Sequence, residues 1–254
     1  MTEDKDRKIA VLIDGENAQY SLTGDMLAEV AKQGRVTIKR IYGDWSSRQM
    51  KGWKDQTNKY AVRAMHQFAF TRGKNSTDIA LVIDAMDILH QGLADGFCLV
   101  SSDGDFTGLA NRLREEGVFV MGIGQEKTPE AFVRSCELFI YTENLGDSDE
   151  EEEPIAEAEK PSRTPKAKAK PKKKVKPIPV NLLKKAFKNA VEENEMAYLG
   201  RMGEALRKIE PSFDPRTYGY PLLSKLIKSM TGHFEVVYPE GSDSAYVKLK
   251  RGGK

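Results

Sequence analysis

Asp14, Asp78, Asp103 and Asp105 lie in three short motifs, IDGEN (13–17), NSTDIAL (75–81) and VSSDGDF (100–106). The first and third follow apolar runs of strand character, KIAVLI and GFCLV, and the second opens a helical pattern. A fold that gathers strand ends would bring the four carboxylates into one pocket. Like charges at that spacing disfavour each other's ionised form, and a divalent cation offsets the repulsion. Hard oxygen donors with no competing His/Cys set select Mg²⁺ or Mn²⁺. Such a centre can bind a phosphodiester oxygen, activate a water and stabilise a leaving alkoxide.

Each residue also has a plainer role open to it. Asp14 before Gly15 suits a turn in which the carboxylate bonds local backbone. Asp105 is placed to cap the helix that follows, and Asp78 occupies a first turn, where the dipole favours an acid. Asn17 is placed either to orient a phosphate or a metal-bound water, or to cap a helix. Ser101 and Ser102 are placed to bond a metal ligand or the scissile phosphate, or simply to form a turn. Asp84 lies six residues beyond Asp78, roughly 240° around the helix at 100° per residue, so it faces elsewhere and pairs with a base or meets solvent. Asp87 is set aside with it. His66 and His90 stand alone, and Cys98 and Cys136 sit in apolar stretches as small buried hydrophobes. The chain contains no G-x-x-x-x-G-K-[ST], G-x-G-x-x-G or G-x-S-x-G motif, which argues against P-loop and serine-hydrolase chemistry.

The elements that must position these residues alternate over the first half. Strand patterns are expected at 8–13, 35–43, 65–70, 97–100, 118–123 and 138–141. Helical patterns lie at 25–32, 47–60, 78–90, 106–116 and 129–134, with Ser76 or Thr77 as the cap of the third. Ile79, Val82, Ile83, Met86 and Leu89 are taken as its apolar face. This alternation predicts an α/β fold, a mainly parallel sheet with helices on both sides. In such sheets the functional site lies beyond the carboxyl ends of the strands, where Asp14, Asp103 and Asp105 are placed.

The net charge of +2 conceals strong segregation. Residues 147–159 are almost entirely acidic and 160–176 almost entirely basic, with prolines and no aromatics, so the stretch cannot build a core. Its composition divides the chain into a domain at 1–145, a disordered acidic-then-basic linker at 146–177 and a second domain at 178–254. In that last part, helical patterns at 182–191, 199–209 and 221–230 precede two alternating strands, FEVVY and AYVKLK. Three helices and a β-hairpin are winged-helix order, a small α+β unit. No apolar run reaches the length of a membrane helix and no secretory apolar core follows the first residues, so a cytoplasmic protein is expected.

IDGEN, RIYGDW (40–45), KNSTDIALVIDAM (74–86), LVSSDGDFTGL (99–109) and VFVMGIG together resemble the NYN domain of the LabA/DUF88 group, within the PIN-like nuclease superfamily. The resemblance covers about 8–145. It implies a PIN-like three-layer α/β/α fold and a metal-dependent ribonuclease site of Asp14, Asp78, Asp103 and Asp105 with Mg²⁺ or Mn²⁺, Asn17 nearby. Residues 180–249, with FDPRTYGYPLLSKLIKSM, are similar to OST-HTH/LOTUS domains, which implies a winged helix that binds RNA or a protein partner. Lys225, Lys228 and Arg216 are then the expected phosphate contacts, and the lysine-rich linker adds a salt-sensitive hold on nucleic acid.

The leading expectation is an endoribonuclease that captures RNA through the linker and winged helix. The alternative is an RNA-binding adaptor whose first domain is idle. A phosphoryl-transfer enzyme with Asp14 as covalent nucleophile commonly has a second aspartate two residues on, and Glu16 stands there instead. Nothing in the sequence fixes an oligomeric state.

Overall fold

The structure, a computed structural model, describes residues 6–66, 76–146, 176–191, 195–238 and 244–250. The acidic-then-basic segment expected as a linker lies almost wholly outside them, as do residues 67–70 of the expected third strand. Among the described residues six strands form one parallel sheet: β1 (Lys8–Asp14), β2 (Arg35–Gly43), β3 (Arg63–His66), β4 (Gly96–Val100), β5 (Phe119–Gly124) and β6 (Leu138–Tyr141), in the order β3-β2-β1-β4-β5-β6. Between them run α1 (Thr23–Ala31), α2 (Trp53–Tyr60), α3 (Ser76–His90), α4 (Thr107–Glu115) and α5 (Glu130–Ser135).

Burial on both faces explains the run-on apolar strands. Ile9, Val11 and Ile13 enter the core beneath α1 and α2, while Ala10 and Leu12 enter the core beneath α3, α4 and α5. The result is the three-layer PIN-like arrangement, with β1 and β4 at the centre. Chain order reverses between those two strands, which places their carboxyl ends at the switch point of the sheet.

One expected face is corrected. Val82, Met86 and Leu89 of that face pack against the core, but Ile79 and Ile83 are 58% and 57% exposed, and the residues α3 buries fully are Thr77, Leu81, Ala85 and Ile88. Its apolar residues run round the whole helix, so spacing alone cannot select the side that meets the sheet. The helix also starts at Ser76, which leaves Ser76 and Thr77 inside it rather than before it.

The C-terminal part builds its own core from α6 (Val180–Ala190), α7 (Leu199–Ile209) and α8 (Leu223–Ser229) against a three-stranded antiparallel sheet. α6 buries Leu183, Ala186, Phe187 and Ala190, the stripe of an amphipathic helix. The sheet order is β7-β9-β8, with β8 (Phe234–Val237) and β9 (Tyr246–Leu249) as the expected strand pair and β7 (Met196–Tyr198) an addition. This is a winged-helix fold. Leu222, expected on the apolar side of α8, precedes the helix and is 58% exposed.

The two cores meet along β6. Phe139 N–H donates to Pro211 O at 2.9 Å, Asn144 Nδ2 to Thr217 Oγ1 at 2.8 Å, and Arg216 reaches Glu29 at 2.5 Å.

Packing at the sheet's carboxyl edge is close. A methyl group on the buried Gly124 would lie 2.5 Å from the Ser101 carbonyl oxygen and 2.7 Å from Thr128 Oγ1. Backbone must move to admit it, so Gly124→Ala is expected to cost about 1–3 kcal/mol. Urea denaturation checks this, and an unchanged midpoint would contradict it.

Candidate functional site

β1 ends at Asp14, which is 1% exposed. Gly15 turns the chain immediately afterwards, and its N–H donates to Tyr42 O at 2.9 Å. A Cβ at position 15 would stand 2.9 Å from that oxygen and 2.7 Å from Met50 Cε, so only glycine allows the turn so close to β2. Trp53 Nε1 donates to Gly15 O at 2.9 Å and pins the turn from the other side.

The Asp14 carboxylate is fully engaged. Its Oδ2 accepts from Ser101 Oγ (2.7 Å) and Asn17 Nδ2 (2.8 Å), and its Oδ1 from the backbone N–H of Glu16 and Asn17 (3.2 and 3.3 Å). The turn role is thus filled, and Asn17 holds Asp14 rather than capping a helix. Burial pushes the Asp14 carboxyl above its usual range, and the bonds from Asn17 and Ser101 oppose that rise.

β4 delivers the second pair of acids. Ser101 Oγ accepts from Asp103 N–H at 3.1 Å, and Asp103 Oδ1 accepts from Asp105 N–H at 2.9 Å. Asp103 therefore caps the 3₁₀ turn Gly104–Phe106, a role the sequence assigned to Asp105. Ser102 Oγ accepts from Gln125 N–H at 2.9 Å and ties this loop to β5. Asn17, Ser101 and Ser102 all border a hollow of about 10 Å³, the size of one water.

Asp78 joins from the first turn of α3. Its carboxyl is pushed up to about 6, first by burial and then by the charges of Asp14, Asp103, Glu16 and Asp105. The structure thus brings Asp14, Asp103 and Asp105 into electrostatic reach of Asp78. Glu16, passed over in the sequence, belongs to the same cluster: its Oε1 accepts from Asp44 N–H at 3.2 Å and Thr77 Oγ1 at 3.4 Å. Its place two residues beyond Asp14 was the available signal.

Asp84 faces away, as helix geometry requires. It pairs with Arg40 and accepts from Tyr42 Oη, fastening α3 to β2. Arg216 is held by Asp214 at 2.6 Å and Glu29 at 2.5 Å. Burial alone would depress its pKa, but those two acids raise it. Its guanidinium serves the contact between the cores. Lys225 and Lys228 are exposed on α8, and Lys228 Nζ lies 5.2 Å from the centre of the Tyr238 ring.

The cluster's donors are hard oxygens, which suits Mg²⁺ or Mn²⁺. As they stand, among the described residues no group of three or more His, Cys, Asp or Glu side chains converges to hold an ion.

The raised Asp78 pKa has a testable sign. The protonated carboxyl favours the fold below about pH 4, and that contribution is lost as pH rises through about 6. Asp78→Asn should therefore stabilise the protein at pH 7.5. Because the group is only half-buried, solvent screening reduces the gain to about 1 kcal/mol. Thermal melts at pH 4 and 7.5 check it, and a variant less stable than wild type at pH 7.5 would contradict it.

Among family profiles, the NYN domain matches residues 8–145 and the OST-HTH/LOTUS domain matches residues 170–243. A search of curated protein sequences finds no match. Among solved structures, a protein of unknown function from Vibrio parahaemolyticus is 20% identical over 56% of this chain and 96% of its own, with a TM-score of 0.47. An uncharacterized protein from Nitrosomonas europaea is 30% identical over 38% of this chain and 94% of its own, with a TM-score of 0.29. No helix among the described residues is long and apolar enough to cross a membrane.

Proposed function

The chain belongs to the NYN domain family, and on that premise we propose that it hydrolyses RNA phosphodiester bonds at Asp14, Asp78, Asp103 and Asp105. NYN domains are PIN-like nucleases and OST-HTH/LOTUS domains bind RNA, so a nuclease-type or RNA-binding role follows from the architecture itself. The observation that carries the finer reading is Asp78, whose carboxyl feels four other acids at once. That much negative charge at the switch point of a parallel sheet suits a cation-assisted reaction on a phosphate.

Asp14, buried and held by Ser101 and Asn17, is the fixed point of the site. Asp103 orders its loop by capping it, so Asp105 is presented at a set height beside it. Asp78 adds a carboxylate that is substantially ionised only above about pH 6. A bound Mg²⁺ or Mn²⁺ would supply a Lewis acid for the phosphoryl group and offset the charge of the attacking and leaving oxygens. Lys225 and Lys228 on α8 are proposed contacts to the RNA backbone, whereas Arg216 must leave Asp214 and Glu29 to serve there.

Labelled single-stranded RNA should be cut only with divalent cation present, and cutting should vanish in Asp103→Asn. Activity that persists undiminished in that variant would refute the assignment. Cleavage should also rise with pH through about 6, because Asp78 must lose its proton to act as a donor. Rates measured from pH 5 to 8 check this, and a rate that falls over that interval would contradict it.

A second reading has its own support. Both Asp14 oxygens are already occupied by hydrogen bonds, and no ion-holding group is assembled among the described residues. An RNA-binding adaptor with an idle first domain would bind RNA and cut none under any metal.

A further inference from the structure

We propose that a basic groove between the amino edge of the six-stranded sheet and α7 holds a single strand of RNA by its phosphates, at the end of the sheet opposite the aspartates. The groove has a volume of about 530 Å³ and is lined among others by Arg7, Arg114, Phe119, Arg134, Arg207 and Lys208. Glu137 and Glu204 also border it, so cations outnumber acids along its walls. A second hollow of about 290 Å³, bordered by Arg201, shares Glu204 and Lys208 with the first. The concavity therefore continues along α7 rather than closing round a small molecule.

The cations are of two kinds. Arg7 lies over the Phe119 ring at 4.4 Å, Arg114 Nη1 donates to Ser135 O, and Arg134 is braced by Glu130 and Glu210. These form a positively charged wall whose side chains are already ordered. Arg207 and Lys208, in the last turn of α7, are exposed and face it from the other side. An extended groove with charge on both walls suits a strand that carries one phosphate per nucleotide.

The two walls come from the two cores, so the groove depends on the contacts of β6 and Glu29 with the 211–217 stretch. Arg7, Gln33, Phe119 and Leu138 stand at the starts of strands, whereas the aspartates stand at the ends. β1 spans seven residues, about 20 Å at 3.3 Å each. A strand seated in the groove must extend about six further stacked nucleotides to reach the cluster.

This inference rests on RNA as the ligand but not on cleavage, and its test is run in EDTA. Anisotropy of a fluorescein-labelled 20-nucleotide RNA is measured on the full chain at several salt concentrations. The double variant Arg207→Gln/Lys208→Gln should bind at least tenfold more weakly in moderate salt. Its slope of log affinity against log salt should be shallower by about 1.4, at about 0.7 per lost phosphate contact. Lys225→Gln/Lys228→Gln on α8, the other proposed backbone contacts, is run beside it and should show its own loss without abolishing that of the α7 variant; melting curves confirm that both variants fold. An unchanged slope in the α7 variant, or a loss confined to the α8 variant, overturns the groove while leaving the proposed nuclease untouched. Wild-type chain that binds no RNA overturns the groove, and the cleavage assay then judges the nuclease separately.

Discussion

Trp53→Ala is expected to lower the unfolding free energy by about 3–5 kcal/mol, the cost of emptying a buried aromatic site. Trp53 is 1% exposed and meets Tyr20 edge-on, with ring centres 6.4 Å apart. It also supplies the N–H bonded to Gly15 O, so truncation leaves both a void and an unpaired carbonyl beside Asp14. The damage should reach the site: the turn after β1 loosens, and Asp14 loses its fixed position. Trp53→Phe separates the two effects, because it keeps most of the apolar volume and removes only the donor. That variant should cost about 1–2 kcal/mol. Urea denaturation followed by circular dichroism measures both, and equal midpoints for wild type and Trp53→Ala would contradict the claim that this ring braces the site.

Asp14→Asn should reduce RNA cleavage at least about 100-fold, since even second-shell partners of metal sites cost 10–100-fold when removed. The loss should fall on kcat, with RNA affinity held within about twofold, because Asp14 is buried and the proposed backbone contacts lie elsewhere. Stability should fall as well, by about 1–3 kcal/mol: an oxygen kept for Ser101 and Asn17 Nδ2 turns the amide nitrogen toward the backbone N–H groups of Glu16 and Asn17, a donor facing donors. A drop in affinity that accounts for all the lost activity would mean that Asp14 holds substrate rather than acting at the bond. Cleavage within a factor of two of wild type would remove Asp14 from the reaction altogether.

The parallel sheet and the strand ends carrying Asp14 and Asp103 were legible because run-on apolar segments broken by Asp-Gly have few other solutions. β2, β6 and α7 fall where their residue patterns place them, at Arg35–Gly43, Leu138–Tyr141 and Leu199–Ile209. The face of α3 was not legible. Leu81, Ala85 and Ile88 compete with Ile79 and Ile83 on a helix apolar on nearly every side, and only the packing of α3 on β1 and β2 decides between them. Capping by Asp103 instead of Asp105 depends on one N–H direction, set by the loop and invisible to spacing. Glu16 was not legible as part of the cluster because its side chain is not an aspartate, whereas the charge of a glutamate two residues beyond Asp14 also perturbs Asp78. Arg216 looked like a phosphate contact by composition. Its partner Glu29 is 187 residues away in sequence, a pairing only the folded chain discloses. β7, three residues long, is too short to carry an alternation.

The central claim is that the acids around Asp78 act together as a cation site, and Mn²⁺ titration at pH 7.5 tests it most directly. Calorimetry on the wild-type chain, Asp14→Asn and Asp78→Asn would be compared at one ionic strength. Saturable binding to wild type, weakened at least about tenfold in each variant, is the expected result. Binding of equal strength in all three proteins, or none to wild type, would contradict it: the raised carboxyl of Asp78 would then reflect crowding of charge with no cation to resolve it.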